Sequence, residues 1–420
     1  MYIPLFQLDG WSEGQLPPEL AHTYTKLKIQ VGEAIISRIN NRITNSVSNT
    51  LYLPVYPVAE WIAANWWRLL YDCNNFRSDS NYNETHNLKF AGEGYFLPDM
   101  AIFPDGDNIT LKWQPCTIND GAMAFIENGT SNISRKRLQM ELERFVVAVT
   151  MRLLDRGLDD TPLQEDWNAV CASENDQEER DFCIACARLG RDPYDISESD
   201  AENIVAIHEQ LNAVVNTDEI FSATDCDHLE STADQLRTLL ADMPKVCANS
   251  ILQEIRDKCA GVRKSTPWET GYEQADIVRS LMREANISNR NLVDIISERS
   301  YNGVMPERIC SLVACDLKTG PCFAYDFAYQ LRPFMVGRML AGFCSIEEKA
   351  IPVSEVYTAE QKRQRAFAAE LFAPAAELRS RLHGKKVVGE DTLEELATEY
   401  QLNTTAIKHQ LENHQIAQVV

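Results

Sequence analysis

The spacing of apolar residues changes about a third of the way along the chain, and this change constrains the fold more than any other feature. Up to about residue 126 the pattern is that of strands: residues 27–31 alternate, and two apolar runs flank Pro-Asp-Gly-Asp at 104–107, a sequence typical of β-hairpin turns. From Ser134 apolar residues recur every three or four positions, as in an amphipathic helix. We therefore expect an α+β protein that is β-rich at its N-terminal end and mainly helical beyond it.

These patterns divide the chain into three predicted domains. Residues 1–126 form a β-rich N-terminal domain, which one helix over residues 57–70 interrupts. Residues 127–262 form an acidic helical domain, and residues 263–420 form a mainly helical domain with a small sheet. Further helices are predicted over 134–154, 178–189, 201–214, 228–243, 251–259, 268–283, 291–296, 334–343, 365–374, 393–400 and 404–413, with a buried strand over 309–315.

Composition and charge exclude several classes of protein. Hydrophobic residues make up 45% of the chain and charged residues 24%, a balance typical of folded rather than disordered proteins. The net charge of −22 would repel a phosphate backbone unless a local basic patch overrides it, so we expect no direct nucleic-acid binding. No run approaches about 18 uninterrupted apolar residues, which predicts a cytoplasmic, bacterial protein without a membrane span. The twelve cysteines are scattered singly, as reduced thiols are.

Two stretches of the C-terminal third resemble a known family. Residues 366–374 (Ala-Phe-Ala-Ala-Glu-Leu-Phe-Ala-Pro) are similar to the alanine-rich "AxxFAxxLLxP" element of ImmA/IrrE-type zinc metallopeptidases. Residues 396–413 look like the helix pair that follows this element in the family. The resemblance extends over residues 268–416. It implies a zincin-like fold and a bacterial setting of transcriptional regulation, stress response, toxin–antitoxin pairs or phage defence.

The same resemblance locates the family's metal site, and this chain lacks its ligands. A zincin helix needs two histidines four positions apart, with a glutamate beside the first. The corresponding helix here puts Arg338, Met339 and Gly342 at those positions. The family's third ligand, a glutamate, falls near Arg363, and Glu370 lies at the wrong offset. Because none of these replacements can bind zinc or act as the base, we expect a non-catalytic relative without a cofactor.

Two interpretations of the arginines in this region remain open. In the first, Arg338 and Arg363 pair with nearby acids such as Glu360 or Glu370 and fill the former metal cavity with ion pairs. In the second, the two guanidinium groups line an anion pocket that holds a phosphate or a carboxylate ligand. The sequence does not distinguish an ion-pair pocket from an anion pocket.

Several cysteines invite a metal or redox interpretation. Cys183 and Cys186 form a single C-x-x-C inside a predicted helix, whereas a zinc site usually needs two such pairs and a redox motif should follow a strand. We interpret them as core thiols. Cys310, Cys315 and Cys322 have intervals unlike those of zinc ribbons, so we expect buried strand and loop residues.

Two further motifs have both a structural and a functional interpretation. Asp225, Asp227, His228 and Glu230 could hold a cation, but acidic residues beside an apolar run also favour a helix start, which we prefer. The final helix pair, over 393–413, has helix-turn-helix dimensions. Its first helix is rich in glutamate, so we predict a packing element rather than a DNA-reading one.

Three hypotheses about function follow. The preferred one is a non-catalytic ImmA/IrrE-like protein that binds a protein partner: a regulator, a toxin or a defence component. The second is an active endopeptidase that cleaves a helix-turn-helix repressor, with zinc bound by unconventional ligands such as His383, Glu370 and a cysteine. The third is an acidic decoy for a DNA-binding protein, formed by the acidic stretch over residues 155–242.

Overall fold

The computed structural model describes residues 3–15, 17–73, 80–118, 121–244, 249–316, 320–325, 332–345 and 349–420. The chain is 53% helix and 20% strand, β-rich at its N-terminal end and helical in its C-terminal part, which confirms the predicted α+β class. It divides into two compact units, Met1–Ala201 and Glu202–Val420. The predicted domains 1–126, 127–262 and 263–420 do not coincide with these units, and their independence as folding units stays a prediction.

The strands of the first unit form three antiparallel sheets within its described residues. They are β1 (Phe6–Ser12), β2 (Tyr24–Val31), β3 (Ala34–Ile35), β4 (Ile39–Asn41), β5 (Ser46–Ser48), β6 (Leu51–Pro54), β7 (Asp99–Asp105), β8 (Asn108–Gln114), β9 (Cys116–Ile118), β10 (Met123–Phe125) and β11 (Gly129–Ser134). β2 pairs with β1, β3 and β6; the second sheet has the order β5-β4-β10-β9 and the third β11-β8-β7. The hairpin predicted at residues 104–107 is confirmed: Asp105 pairs with Asn108, and Gly106 has a φ of 65°.

The helices of the first unit pack on these sheets around one hydrophobic core. They are α1 (Pro18–Ala21), α2 (Tyr56–Ala64), α3 (Trp66–Tyr71), α4 (Ser80–His86), α5 (Arg135–Leu154), α6 (Pro162–Asn175) and α7 (Gln177–Arg188), and α8 (Glu198–Leu211) crosses the division between the units. The core extends from Leu5 near β1 to Ala187 on α7. The single helix predicted over residues 57–70 is wrong: α2 ends before Asn65, whose amide donates to the Trp61 carbonyl at 2.8 Å. A side chain that bonds its own helix in this way competes with the backbone hydrogen bonds that would continue the helix.

The second unit is mainly helical. Its helices are α9 (Thr217–Ala223), α10 (Leu229–Asp242), α11 (Ser250–Cys259), α12 (Pro267–Glu284), α13 (Asn289–Ser297), α14 (Pro333–Ser345), α15 (Ala359–Phe372), α16 (Ala375–Leu382), α17 (Glu390–Tyr400) and α18 (Thr404–Asn413). Its strands are β12 (Ser300–Asn302), β13 (Ile309–Asp316), β14 (Gly320–Tyr325), β15 (Ile351–Ser354), β16 (Val387–Val388) and β17 (Gln418–Val419). A small sheet of order β12-β14-β13-β15 lies beside a hydrophobic core formed mostly by helices. The small C-terminal sheet is therefore confirmed.

Helix α15, the alanine-rich helix of the sequence, lies between α12 and α14. It begins earlier than predicted because Thr358 caps it. The Thr358 hydroxyl accepts a hydrogen bond from the backbone N–H of Gln361 at 3.2 Å. Two glycines allow the close approach of its neighbours. A Cβ on Gly271 of α12 would lie 2.5 Å from the Arg363 carbonyl oxygen, and one on Gly337 of α14 would lie 2.8 Å from the Ala368 Cβ. Small residues on three helices thus bring their backbones together around the region where the sequence places its candidate site.

Candidate functional site

The three positions that would carry the zincin motif lie on α14, which runs antiparallel to α15. Gly337, near the start of α14, is close to Ala368, and at the other end of α14 the Ser345 hydroxyl donates to the Glu360 carboxylate at 3.2 Å. Arg338 and Gly342 are four residues apart, and both face α15. Met339 is fully buried in the core. Positions 338 and 342 therefore lie on one helix face, as the two histidines of a zincin helix would. Neither Arg338 nor Gly342 supplies a side chain that binds metal.

Arg338 is 95% buried, and one of its nitrogens makes its side-chain hydrogen bonds. That nitrogen, Nη2, donates to the Ser354 carbonyl at 2.6 Å and to Gln361 Oε1 at 2.7 Å, while its Nε has no hydrogen-bond partner. Burial, together with the nearby Arg365 guanidinium, lowers the pKa of Arg338 to about 9, so the side chain is still cationic at neutral pH. Within the described residues it forms no ion pair. Its charge therefore has to be balanced at longer range.

The charges of Glu355 and Glu360 act on Arg338 at longer range, and Gln361 links it by hydrogen bonds to a third carboxylate, that of Glu219. The amide nitrogen of Gln361 donates to the Pro352 carbonyl and to Glu219 Oε2, both at 2.9 Å, while its oxygen accepts from Arg338 and from the Ser354 amide. The Thr358 hydroxyl also donates to Glu219 Oε2, at 2.7 Å. The side-chain amide of Gln361 thus lies between the buried guanidinium of Arg338 and the buried carboxylate of Glu219. Its oxygen faces the positive charge and its nitrogen faces the negative charge.

Arg363 forms a buried ion pair with Glu360. Its Nε donates to Glu360 Oε2 at 2.9 Å and its Nη2 to Glu360 Oε1 at 2.6 Å. Burial alone would raise the pKa of the Glu360 carboxyl, but the charge and hydrogen bonds of Arg363 outweigh it and the pKa is lowered. Nη1 donates to Gln274 Oε1 at 2.6 Å, and Nη2 also donates to the Ala341 carbonyl at 2.8 Å. Arg363 therefore ties α15 to both α12 and α14.

Glu370 belongs to a different cluster, two helical turns further along α15. Both of its oxygens accept from the Ala375 amide, and Oε1 also accepts from Arg279 at 3.3 Å. Gln410 donates to Oε2, and His414 Nε2 lies 3.3 Å from the same oxygen without hydrogen-bond geometry. Glu370 therefore anchors the start of α16 and the end of the chain.

Of the residues singled out in the sequence, the structure brings together Arg338, Gly342 and Arg363 around the α14–α15 contact. Glu370 shares no described contact with either arginine. Sequence reasoning missed three glutamines of this contact, Gln274, Gln361 and Gln364, which are buried. Residues 360–365 read Glu-Gln-Lys-Arg-Gln-Arg, so the local pattern gave no signal that Gln361 and Gln364 are buried.

Candidate metal ligands are not grouped in the described part of the chain. No cluster of three or more histidine, cysteine, aspartate or glutamate side chains is placed to hold a metal ion there. His383, one of the unconventional ligands considered, is an exposed residue that ends α16 with a φ of 49°. Glu370, the second such ligand, is bound in its own cluster as described above.

The remaining sequence candidates have structural roles in the described residues. Cys183 and Cys186 are fully buried, as predicted, and burial raises the pKa of the Cys183 thiol to about 11. Cys310 and Cys322 are buried on β13 and β14, whereas the Cys315 side chain lies outside the described residues. Asp225 accepts from the His228 amide at 3.0 Å and caps the turn before α10, which confirms a helix start.

The final helix pair, α17 and α18, and three tryptophans of the first unit also lie in cores. α17 and α18 bury Leu396 and Ile407 in the core of the second unit, as a packing element does. Trp66, Trp67 and Trp113 are at most 5% exposed in the first unit. These residues therefore stabilise the fold.

An open groove of about 330 Å³ lies between α11 and α12. Its floor is apolar, formed by Ile277 and Leu281, and its rim carries Glu254, Asp276, Glu284 and Lys258. Asp276 is paired with Arg279, so Glu254 and Glu284 against Lys258 give this rim its negative charge.

Comparisons with known proteins return no relative. No family model matches the chain, and neither the curated proteins nor the solved structures contain a significant match to it. No helix in the described part of the chain is long and apolar enough to cross a membrane. The resemblance to ImmA/IrrE peptidases therefore stays a prediction that rests on the residues quoted for it.

Proposed function

We propose that this chain is a non-catalytic protein of ImmA/IrrE type that acts by binding another protein. The observation that carries the proposal is the filling of the α14–α15 contact. Where the resemblance would place the zinc site, α14 and α15 carry the Arg363–Glu360 ion pair and the amide of Gln364, which donates to Glu360 at 3.0 Å. This network occupies the Glu360 carboxylate with hydrogen bonds from its own members, so that carboxylate is not free to take a metal.

The biological setting proposed is the one that the resemblance implies. Proteins of this type act in bacterial transcriptional regulation, stress response, toxin–antitoxin pairs and phage defence. A partner is accordingly a regulator, a toxin or a defence component. The net charge of −22 favours partners that present basic side chains.

The groove between α11 and α12 is the contact surface that we assign to this partner. Its apolar floor suits the aliphatic part of a lysine or arginine side chain, and its carboxylate rim suits the charged end. The occupant proposed is therefore a basic segment of the partner protein. Glu254 and Glu284 are exposed, so both can be changed without disturbing the core.

A co-purification experiment tests this function. The full chain is used to capture partners from a bacterial lysate, with a Glu254→Gln/Glu284→Gln variant beside it and a Glu230→Gln variant, on exposed α10, as the matched control. A defined regulator, toxin or defence protein that the wild type and the control retain, and the groove variant loses, supports the proposal. Equal retention by all three chains contradicts the groove assignment. If the captured partner is cleaved and a chelator abolishes the cleavage, the non-catalytic function is contradicted. If duplex DNA displaces the partner, the acidic decoy is supported in its place.

A further inference from the structure

Helix α5 of the first unit has apolar side chains on its outer side as well as on its inner side. The inner side is buried in the hydrophobic core. On the outer side Met140, Met151 and Leu154 are 54%, 59% and 54% exposed, and Val147 is half-buried. We call these four residues the α5 stripe. Single exposed apolar residues are common on protein surfaces, whereas apolar residues grouped on one face indicate a contact surface.

Helical spacing groups the four residues of the α5 stripe. Successive residues of a helix are about 100° apart around its axis, so the four side chains fall within about 60° of one another. Charged residues lie beside them, and Glu143 and Arg144 are exposed there. An apolar line between charged flanks is the pattern of a helix that packs against another helix. Two of the four are methionines, whose flexible side chains adapt to a facing surface.

The two ends of α5 carry opposite charges on the same flank of the stripe. Arg137 lies in the first turn of α5, and Asp155 directly follows its last residue; both are exposed. They are 18 positions apart in the sequence, which is about five helical turns, so they lie on one line along the helix. Arg137 Nη2 donates to the Ile3 carbonyl at 3.3 Å. A cation at the start of a helix and an anion at its end both oppose the helix dipole, so each gains from an opposite charge outside its own helix.

A second copy of α5 supplies these charges when it runs antiparallel to the first. A twofold axis perpendicular to the plane of two helices reverses their direction and keeps each flank facing the same flank of the other copy. Arg137 of one copy then lies opposite Asp155 of the other, and the contact occurs twice. Met140 faces Met151 at each end, and Val147 lies near the axis. A parallel pair would instead bring the cationic starts of both helices together, where like charges repel.

We propose that α5 is a self-association surface and that two copies of this chain pair antiparallel along the α5 stripe. The apolar stripe supplies the contact, and the two charge pairs select the orientation. A contact between single helices is small, and interfaces below about 1,200 Å² in total are typical of weak complexes. The dimer is therefore reversible, and it forms in the micromolar range of concentration. It is independent of the groove between α11 and α12.

Sedimentation equilibrium of the full chain, from about 1 to about 200 µM, tests the proposal. We expect the average mass to rise from that of one chain toward that of two. Met140→Asp/Met151→Asp should weaken the association by about tenfold or more, because it places carboxylates in an apolar contact. Val47→Asp is the matched control: Val47 is a 61% exposed apolar residue on β5, away from the stripe, and its loss should have no effect. A chain that stays monomeric throughout, or a dimer that the double variant leaves unchanged, would overturn the proposal. A monomer that loses a captured protein partner in the double variant overturns it as well, and assigns the stripe to that partner.

A charge exchange tests the antiparallel orientation. Arg137→Asp and Asp155→Arg should each weaken the association by about threefold, because each puts like charges opposite one another twice. The variant with both substitutions restores opposite charges in reversed order, so its affinity should return to that of the wild type. Such a recovery separates a direct contact from a loss of folding, which two substitutions would only increase. A double variant that associates more weakly than either single variant contradicts the antiparallel pair.

Discussion

Arg363 binds both carboxylate oxygens of Glu360, at 2.9 and 2.6 Å, within the same turn of α15. The Arg363 side chain is 7% exposed, and two helices, α12 and α14, contribute its remaining partners. A buried charge pair of this kind contributes little net stability, but the loss of one member leaves the other charge uncompensated. The pair therefore makes the second unit sensitive to single changes at either residue.

Glu360→Gln should lower the free energy of unfolding by about 3–5 kcal/mol, because it leaves the Arg363 guanidinium buried without a counter-charge. Urea unfolding followed by circular dichroism measures the loss. The exposed pair of Arg381 and Glu399, with 3.0 Å between its charged atoms, is the matched control. Glu399→Gln should cost less than about 1 kcal/mol. Equal effects of the two variants would contradict the buried pairing.

The contribution of Glu360 should also depend on pH. Its folded-state pKa is lowered from the usual 4.5, so the unfolded chain binds its proton more readily as the pH falls. The stability that the carboxylate supplies is therefore complete above pH 4.5 and is lost as the pH falls through the lower folded-state pKa. The difference in unfolding free energy between wild type and Glu360→Gln should shrink between pH 5 and pH 3. A difference that grows over that range contradicts the ion pair.

Gln361→Leu should destabilise the protein far more than Gln364→Leu, although both amides lie on the same buried helix. The first removes four hydrogen bonds, one each to Arg338, Glu219, the Ser354 amide and the Pro352 carbonyl. Each lost hydrogen bond costs about 0.5–1.5 kcal/mol, and more where the partner is charged, so we expect more than about 3 kcal/mol in total. Gln364 already has an oxygen without a partner, so its loss should cost less. Thermal unfolding of the two variants compares them, and a larger loss for Gln364→Leu would refute the relay.

Gly271→Ala should destabilise the second unit by about 1–3 kcal/mol, because the new methyl group would meet the backbone of α15. The nearest atoms, the Arg363 oxygen and the Phe367 nitrogen, lie 2.5 and 2.9 Å from the added Cβ. Gly261→Ala adds the same group where nothing lies within 4 Å and should change stability by less than about 0.5 kcal/mol. Thermal unfolding again measures both, and indistinguishable midpoints would mean that α12 and α15 are not in close contact.

The helices were predictable where a cap precedes a regular apolar pattern. Ser134 and Thr266 cap α5 and α12, and both helices begin within a residue of the sequence prediction. The break at Asn65 was not predictable, because the apolar spacing continues through it. Helix α9 was also missed, and with it Glu219. That carboxylate reaches Gln361 across 142 positions of sequence, a pairing that only the folded chain defines.

The candidate site was predictable in position but not in its connections. The alignment of Arg338 and Gly342 on one face of α14 follows from helical spacing alone. The partners of Arg338 do not, because they come from β15 and from the start of α15. Arg363 is similar: Glu360 is its neighbour by helical spacing, whereas Gln274 lies 89 positions earlier. Helical spacing determines a contact within one helix, such as that of Arg363 with Glu360. Tertiary packing determines a contact between helices, such as that of Arg363 with Gln274.

We propose that the α14–α15 contact stands in place of a metal site, and elemental analysis of the purified full chain tests this. The measurement is made after equilibration with zinc and removal of loosely bound metal. We predict far less than one zinc per chain, unchanged by Glu370→Gln or His383→Ala. One stoichiometric zinc per chain that either substitution removes would contradict it.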